Sequence, residues 1–210
     1  MEAKKEFEFR FICNRCGNCC TDKNTIVNVT YQDILRLKNG LELNIDELLS
    51  VLGFYIFEKA PTKEELKKMV IPPIETENGL AFVGLFKKQP GACYFYDEKE
   101  KKCLVYSIRP SFCRTFPYSF KILIETENKT RKGIEIYFTD KGYEYCEGIS
   151  EENPLINKEE WVQRGKKSID NMEQNNVLIK EWNESVQTRK IIASARNFLL
   201  TILNLDEKSN

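Results

Sequence analysis

Apolar residues at Phe7, Phe9 and Phe11 alternate with Glu8 and Arg10. This period of two predicts a half-buried strand running straight into a cysteine-rich turn. Residues 25–29 predict a second short strand. Thr30 then stands as the N-cap of a helix with Leu35 and Leu37 apolar and Gly40 in the stop position. Asn44 with Glu47 forms a capping-box pattern for a second helix ending near Glu58. Thr62 with Glu65 repeats the signal for a short charged helix, halted before Pro72-Pro73. Residues 80–86 read as a strand behind the Asn78-Gly79 turn. Residues 91–97 and 103–106 read as a hairpin with Cys93 on one arm and Cys103 on the other, which would bring the two sulfurs together. Residues 109–117, R-P-S-F-C-R-T-F-P, read as a rigid irregular loop. Residues 120–125 and 134–138 predict a last strand pair, joined across 127–133.

Past Pro154 the pattern turns helical. Asn157 with Glu160 opens a long stretch holding Trp161, Ile169 and Met172. A final helix over 188–205 places Ile191, Ile192, Ala195, Phe198, Leu199, Ile202 and Leu203 on one face, for the core or for a protein partner. The expected fold class is α+β. Residues 1–150 form a small strand-and-loop cysteine-rich domain with packed helices, and residues 151–210 form a helical C-terminal extension packed on it.

The chain has 210 residues, with 32 Lys plus Arg against 32 Asp plus Glu. That length carries a sizeable core without help from cross-links. The zero formal charge gives no global electrostatic case for nucleic acid. Histidine is absent, which removes every mixed cysteine–histidine zinc site and the commonest general base. The opening MEAKKEFEFRF is charged and alternating, unlike a secretory leader. The densest apolar window, residues 48–57, is too short to span a bilayer. A cytoplasmic address is expected, and there eight cysteines read as metal ligands or redox groups. Abundant Lys, Glu and Ile also fit a thermophile, where intracellular disulfides occur, so a disulfide-linked, metal-free protein is a competing reading.

The cysteines carry the chemistry. Cys13, Cys16, Cys19 and Cys20 sit in C-N-R-C-G-N-C-C, and Cys93, Cys103, Cys113 and Cys146 follow. A C-x-x-C turn converges two soft thiolates on one ion, and Gly17 supplies the backbone freedom such a turn needs. Adjacent side chains in an extended segment project to opposite sides, so Cys19 and Cys20 are expected to feed different centres, or one of them is not a ligand. Either two four-thiolate centres form, or Cys13, Cys16 and Cys19 hold three corners of a [4Fe–4S] cluster completed by a remote cysteine. The C-x2-C-x2-C spacing matches the first three ligands of bacterial ferredoxin runs. Eight thiolates with two divalent ions sum to −4, which calls for nearby cations. Arg109 and Arg114 flank Cys113 and are the candidates to hydrogen-bond ligand sulfurs or offset their charge. Tyr94, Phe95, Tyr96, Tyr106, Phe112 and Phe116 would keep the site dry.

CNRCGNCC, the pair Cys93 and Cys103, the segment RPSFCRTFP and the late CEG resemble the YkgJ-like cysteine-cluster family of zinc- or iron-chelating proteins, with its signature CxxCxxCC. All eight cysteines fall on the family pattern, over about residues 9–148. The resemblance implies metal chelation. Relatives include flagellin lysine N-methylases thought to carry an iron–sulfur centre. The expected function is therefore to bind an iron–sulfur cluster or zinc through cysteine thiolates, with a redox or electron-transfer role. One rival is a structural zinc module that presents its C-terminal helices to a protein partner. The other is an enzyme, either a redox protein or a lysine N-methylase relative, which requires a pocket beside the cluster lined by groups such as Arg114, Tyr118 or Tyr143.

Overall fold

Side-chain caps fix where most helices begin. In the computed structural model, which describes residues 9–125 and 131–209, Thr30, Asn44 and Thr62 each accept from the backbone N–H three residues on. The side chains of Asp33, Glu47 and Glu65 return the bond to the cap. The elements in chain order are α1 (Asn18–Thr21), α2 (Tyr31–Leu41), α3 (Ile45–Val51), β1 (Leu52–Ile56), α4 (Lys63–Lys68), β2 (Ile74–Thr76), β3 (Gly79–Leu85), β4 (Tyr96–Asp97), β5 (Lys102–Cys103), α5 (Ser111–Thr115), β6 (Tyr118–Ile124), β7 (Arg131–Phe138), α6 (Asp140–Tyr145), α7 (Lys158–Gln187) and α8 (Ala195–Ser209). Phe7 and Glu8 of the first expected strand, and residues 127–130 of the last connection, lie outside the described residues. The fold is α+β with a helical C-terminal tail, as the pattern predicts.

β3 is the centre of a three-stranded antiparallel sheet in the order β1-β3-β2. The sheet corrects one expectation. The second helix stops at Val51 rather than near Glu58, because residues 52–56 pair with β3 from Leu52↔Leu85 to Ile56↔Ala81. Residues 27–29 lie alongside the same strand where β2 has ended, through Val29 N–H to Val83 O at 3.1 Å and Leu85 N–H to Val27 O at 2.9 Å. Only Asn28 forms a ladder bridge, to Gly84, so this is an extended edge rather than a full strand. The approach to the cysteine turn is similar: Arg10 makes a single bridge to Leu155.

Four further expectations change. Gly40 lies inside the last turn of α2; the helix stops at Leu41, and Glu42 takes the left-handed cap at φ 55°. A Cβ on Gly40 would stand 2.7 Å from Ile108, so close packing accounts for the glycine. Residues 111–115 form a helix, not an irregular loop, with Pro110 as its N-cap. The last helix begins at Ala195 rather than 188, because α7 runs on to Gln187 and the chain turns at Arg189, φ 57°. Ile192 is consequently off the helix and 80 % exposed, while Phe198, Leu199 and Ile202 are buried. Finally, the residue opposite Cys103 in the β4–β5 hairpin is Tyr96, not Cys93.

The larger core joins α2, α3 and the three-stranded sheet to Leu178, Ile179 and Trp182 of α7 and Phe198, Leu199 and Ile202 of α8. Cys93 belongs to it, and Cys20, Cys103 and Cys113 pack against it. A second, aromatic core gathers Tyr118, Ile136, Phe138 and Trp161, with Phe9 and Phe11 against it. The cysteine turn emerges between the two. Among the described residues, no helix is long and apolar enough to cross a membrane.

Candidate metal centre

Gly17 sets the shape of the cysteine turn. Its φ of 87° is the left-handed value that glycine adopts without strain, and a Cβ there would lie 2.2 Å from Tyr96 Oη. The following residues coil into α1, closed by Cys20 N–H to Gly17 O at 2.8 Å and Thr21 N–H to the same oxygen at 3.1 Å. Cys19 and Cys20 are therefore helical neighbours rather than residues of an extended segment. One helical step rotates the side chain by about 100°, and the two sulfurs stand 4.0 Å apart. The expected divergence of this pair is corrected.

Two strips of chain bring the remote cysteines to the turn. The first is Cys146-Glu147-Gly148. Cys146 caps α6, its N–H bonding Gly142 O at 3.0 Å. Ile12 N–H bonds Gly148 O at 3.1 Å, and Asn18 Nδ2 donates to Tyr145 O at 2.9 Å and Glu147 Oε1 at 3.1 Å. A Cβ on Gly148 would meet Ile12 O at 2.3 Å, so the late glycine permits this contact. Asp22 adds a polar anchor. It accepts from Lys141 Nζ at 2.6 Å, Tyr145 Oη at 3.3 Å and the Thr25 hydroxyl, and its carbonyl accepts from Lys87. This strip sets Cys146 in the electrostatic neighbourhood of Cys13, Cys16 and Cys19, whose charges, together with burial as the larger cause, push its thiol up.

The second strip is the core side. Cys93 N–H bonds Cys20 O at 2.7 Å. Cys103 arrives on β5 and Cys113 on α5. Cys13, Cys19, Cys20, Cys93, Cys103 and Cys113 line a single cavity of ≈60 Å³, together with Arg15, Tyr96, Tyr106 and Arg109. Hydrogen bonding to Cys103 and Cys19, with burial, pushes the Cys20 thiol far up. The same hydrogen bonding, with help from Arg109, brings Cys103 down to about 6 and lowers Cys19. Burial pushes Cys113 well up, reinforced by the charges of Cys19, Cys93 and Cys103. All eight cysteines are free in this structure. Among the described residues, no three ligand-type side chains converge closely enough to hold an ion as they stand.

The two arginines part company. Arg109 lies among the sulfurs and favours the thiolate at Cys19, Cys103 and Cys113. It also stacks over the Tyr106 ring at 4.0 Å, which carries Arg15 at 4.2 Å as well. Arg114 lines a separate cavity with Arg36, Arg164 and Lys167 and does not line the sulfur cavity. Arg15, Lys87 and Lys88 are cations that sequence reasoning missed; the latter two draw the Cys93 thiol down against its burial.

The donor chemistry suits a thiolate-bound metal, since clustered soft sulfurs favour zinc or iron. Beside the sulfurs is a cavity of ≈450 Å³, bounded by Cys19, Cys113, Phe112, Phe116, Tyr118 and Tyr145, with Asp140 and Lys141. This is the kind of pocket the enzyme reading requires, and Tyr118 lines it, while Arg114 and Tyr143 do not.

Residues 12–147 match the family model CxxCxxCC, described as "Putative zinc- or iron-chelating domain". The chain is also 30% identical over 138 residues to the uncharacterized protein MJ0661 of Methanocaldococcus jannaschii, a stretch covering 65% of this chain and 57% of that relative. The similarity thus spans little more than half of the relative's length. No solved structure matches.

Proposed function

The chain belongs to the CxxCxxCC family of zinc- or iron-chelating domains, and from that premise we propose that its eight cysteines hold metal as two adjacent four-thiolate centres. One centre takes Cys13, Cys16, Cys19 and Cys146. The other takes Cys20, Cys93, Cys103 and Cys113. The observation that carries this reading is the contact between Cys19 and Cys20, 4.0 Å apart, with Cys146 tied to the turn on one side and Cys93 on the other. Arg109, Arg15, Lys87 and Lys88 offset the thiolate charge.

Iron–sulfur chemistry is the first reading for the Cys13 set, because its spacing is that of a ferredoxin run. When bound, such a cluster supplies one-electron transfer. The protein's part is then to hold the sulfurs, place Arg109 beside them and keep water out with Tyr96 and Tyr106. The redox role, a protein partner and a cytoplasmic, reducing environment belong to this reading. A second reading is structural zinc, which takes closed sites of four thiolates.

Anaerobic purification followed by iron, zinc and acid-labile sulfide analysis tests both. About four iron and four sulfide per chain on the first set, with broad visible absorption, supports the cluster. About two zinc in a colourless protein supports the structural reading. A chain that takes up neither metal overturns the proposal.

A further inference from the structure

Arg114 has a use other than offsetting sulfur charge. It lines a cavity of ≈70 Å³ with Arg36, Ser111, Thr115, Arg164, Lys167, Ser168 and Asn171. Two elements build it. Ser111 and Arg114 come from α5, and Arg164, Lys167, Ser168 and Asn171 recur at helical spacing along one face of α7. Arg36 reaches in from α2.

Charge is not balanced here. Arg36 is paired with Asp33 at 2.6 Å and Arg164 with Glu160. Among the described residues, neither Arg114 nor Lys167 has a carboxylate partner. Ser168, 7 % exposed, adds a hydroxyl to the lining.

We propose that this cavity binds the phosphoryl group of a small phosphate or phosphate ester. Guanidinium forks match tetrahedral oxyanions, and Lys167 supplies the point charge. The volume admits one such group and leaves the remainder of any ester outside. A nucleic acid, which needs an extended basic track, does not suit a single pocket on a chain of zero formal charge.

The test is calorimetric titration with inorganic phosphate at constant ionic strength, with chloride as control, on the full chain as purified. Saturable binding is expected for phosphate and not for chloride. The double variant Arg114→Gln/Lys167→Gln should weaken it at least tenfold. Arg131→Gln, an arginine on β7 paired with Glu173 and outside this cavity, should leave it unchanged. Both altered side chains of the double variant are exposed, so folding is expected to survive, and a thermal melt without phosphate verifies it. Titration with ribose 5-phosphate separates the two sources of the group: tighter binding than phosphate assigns an ester, equal binding the free oxyanion. Absence of saturable phosphate binding, or binding that the double variant keeps, overturns the proposal. Metal content measured on the same samples keeps this result separate from that of the sulfur centres.

Discussion

Asp33 Oδ1 accepts two hydrogen bonds from Ser111, from its backbone N–H at 3.0 Å and its hydroxyl at 2.9 Å. The carboxylate is fully buried, caps its own helix through Thr30, and holds Arg36 with the same oxygen. Ser111 opens α5, and Cys113 follows two residues later. One buried acid on α2 thus fixes the position of α5, the helix that carries Cys113.

Asp33→Ala should accordingly cost about 2–4 kcal/mol, since it leaves a buried N–H and a guanidinium without their acceptor. Ser111→Ala keeps the backbone bond and should cost about 1 kcal/mol. Urea midpoints rank the two. Equal losses would mean that the Ser111 hydroxyl, not the backbone anchor, matters.

Gly17→Ala should unwind the cysteine turn. The left-handed φ alone costs about 1–2 kcal/mol in a residue with a Cβ, and the added carbon meets the Tyr96 phenol. Tyr96→Phe in the same chain removes the nearest contact and should recover part of the stability. A double-mutant cycle by thermal melting reads the coupling; strict additivity would show that the two residues do not touch.

Asp22 gives a pH dependence with a definite sign. Burial raises its carboxyl, but Lys141, Thr25 and the Asn24 N–H outweigh it and hold the group well below the ordinary range. A depressed carboxylate contributes its full stability above the unfolded value of ~3.9 and loses it as pH falls through its folded value. The urea-midpoint gap between wild type and Asp22→Asn should stay level from pH 8 to pH 5 and shrink below pH 4. A gap that widens on acidification would contradict the Lys141 pairing.

The two sulfur sets should empty separately. Cys146→Ser should deplete the metal of the Cys13 set and spare the other, and Cys103→Ser should do the reverse. Metal analysis of the two variants decides this. Loss of all metal in both would point to a single shared centre.

Trp182 ties the C-terminal helices to the sheet. It is 2 % exposed, its indole donates to Glu75 O at 2.9 Å, and the adjacent Asn183 bonds Glu75 N–H and Pro73 O. Trp182→Ala should cost about 3–5 kcal/mol. Trp182→Phe, which keeps most of the volume, should cost about 1–2 kcal/mol for the lost bond and the reduced packing. Chemical denaturation separates them.

What was legible in the sequence is what depends on near neighbours. Thr30, Asn44, Thr62 and Asn157 all cap helices as their spacing indicates, and the Asn78-Gly79 turn joins β2 to β3. Residues 52–57 were not legible, because an apolar run of that length suits either a helix or a buried strand; pairing with β3, some 30 residues on, decides it. No local signal marks the four-residue helix that holds Cys19 and Cys20. Arg114 stands beside Cys113 in sequence, but successive positions on α5 face different ways, and its guanidinium turns to α7. The roles of Asp22 and Asp33 depend on partners 119 and 78 residues away, beyond the reach of any spacing rule.

The clasp between the cysteine turn and Cys146-Glu147-Gly148 also sets a timetable. Asn18 meets Glu147 across 129 residues of chain. A ribosome adding roughly 5–20 residues per second leaves the first four thiols waiting on the order of ten seconds for the strip that shelters them. During that interval they are open to oxidants and to whichever soft metal arrives first. The four-cysteine set proposed around the turn is therefore complete only once Cys146 has joined it.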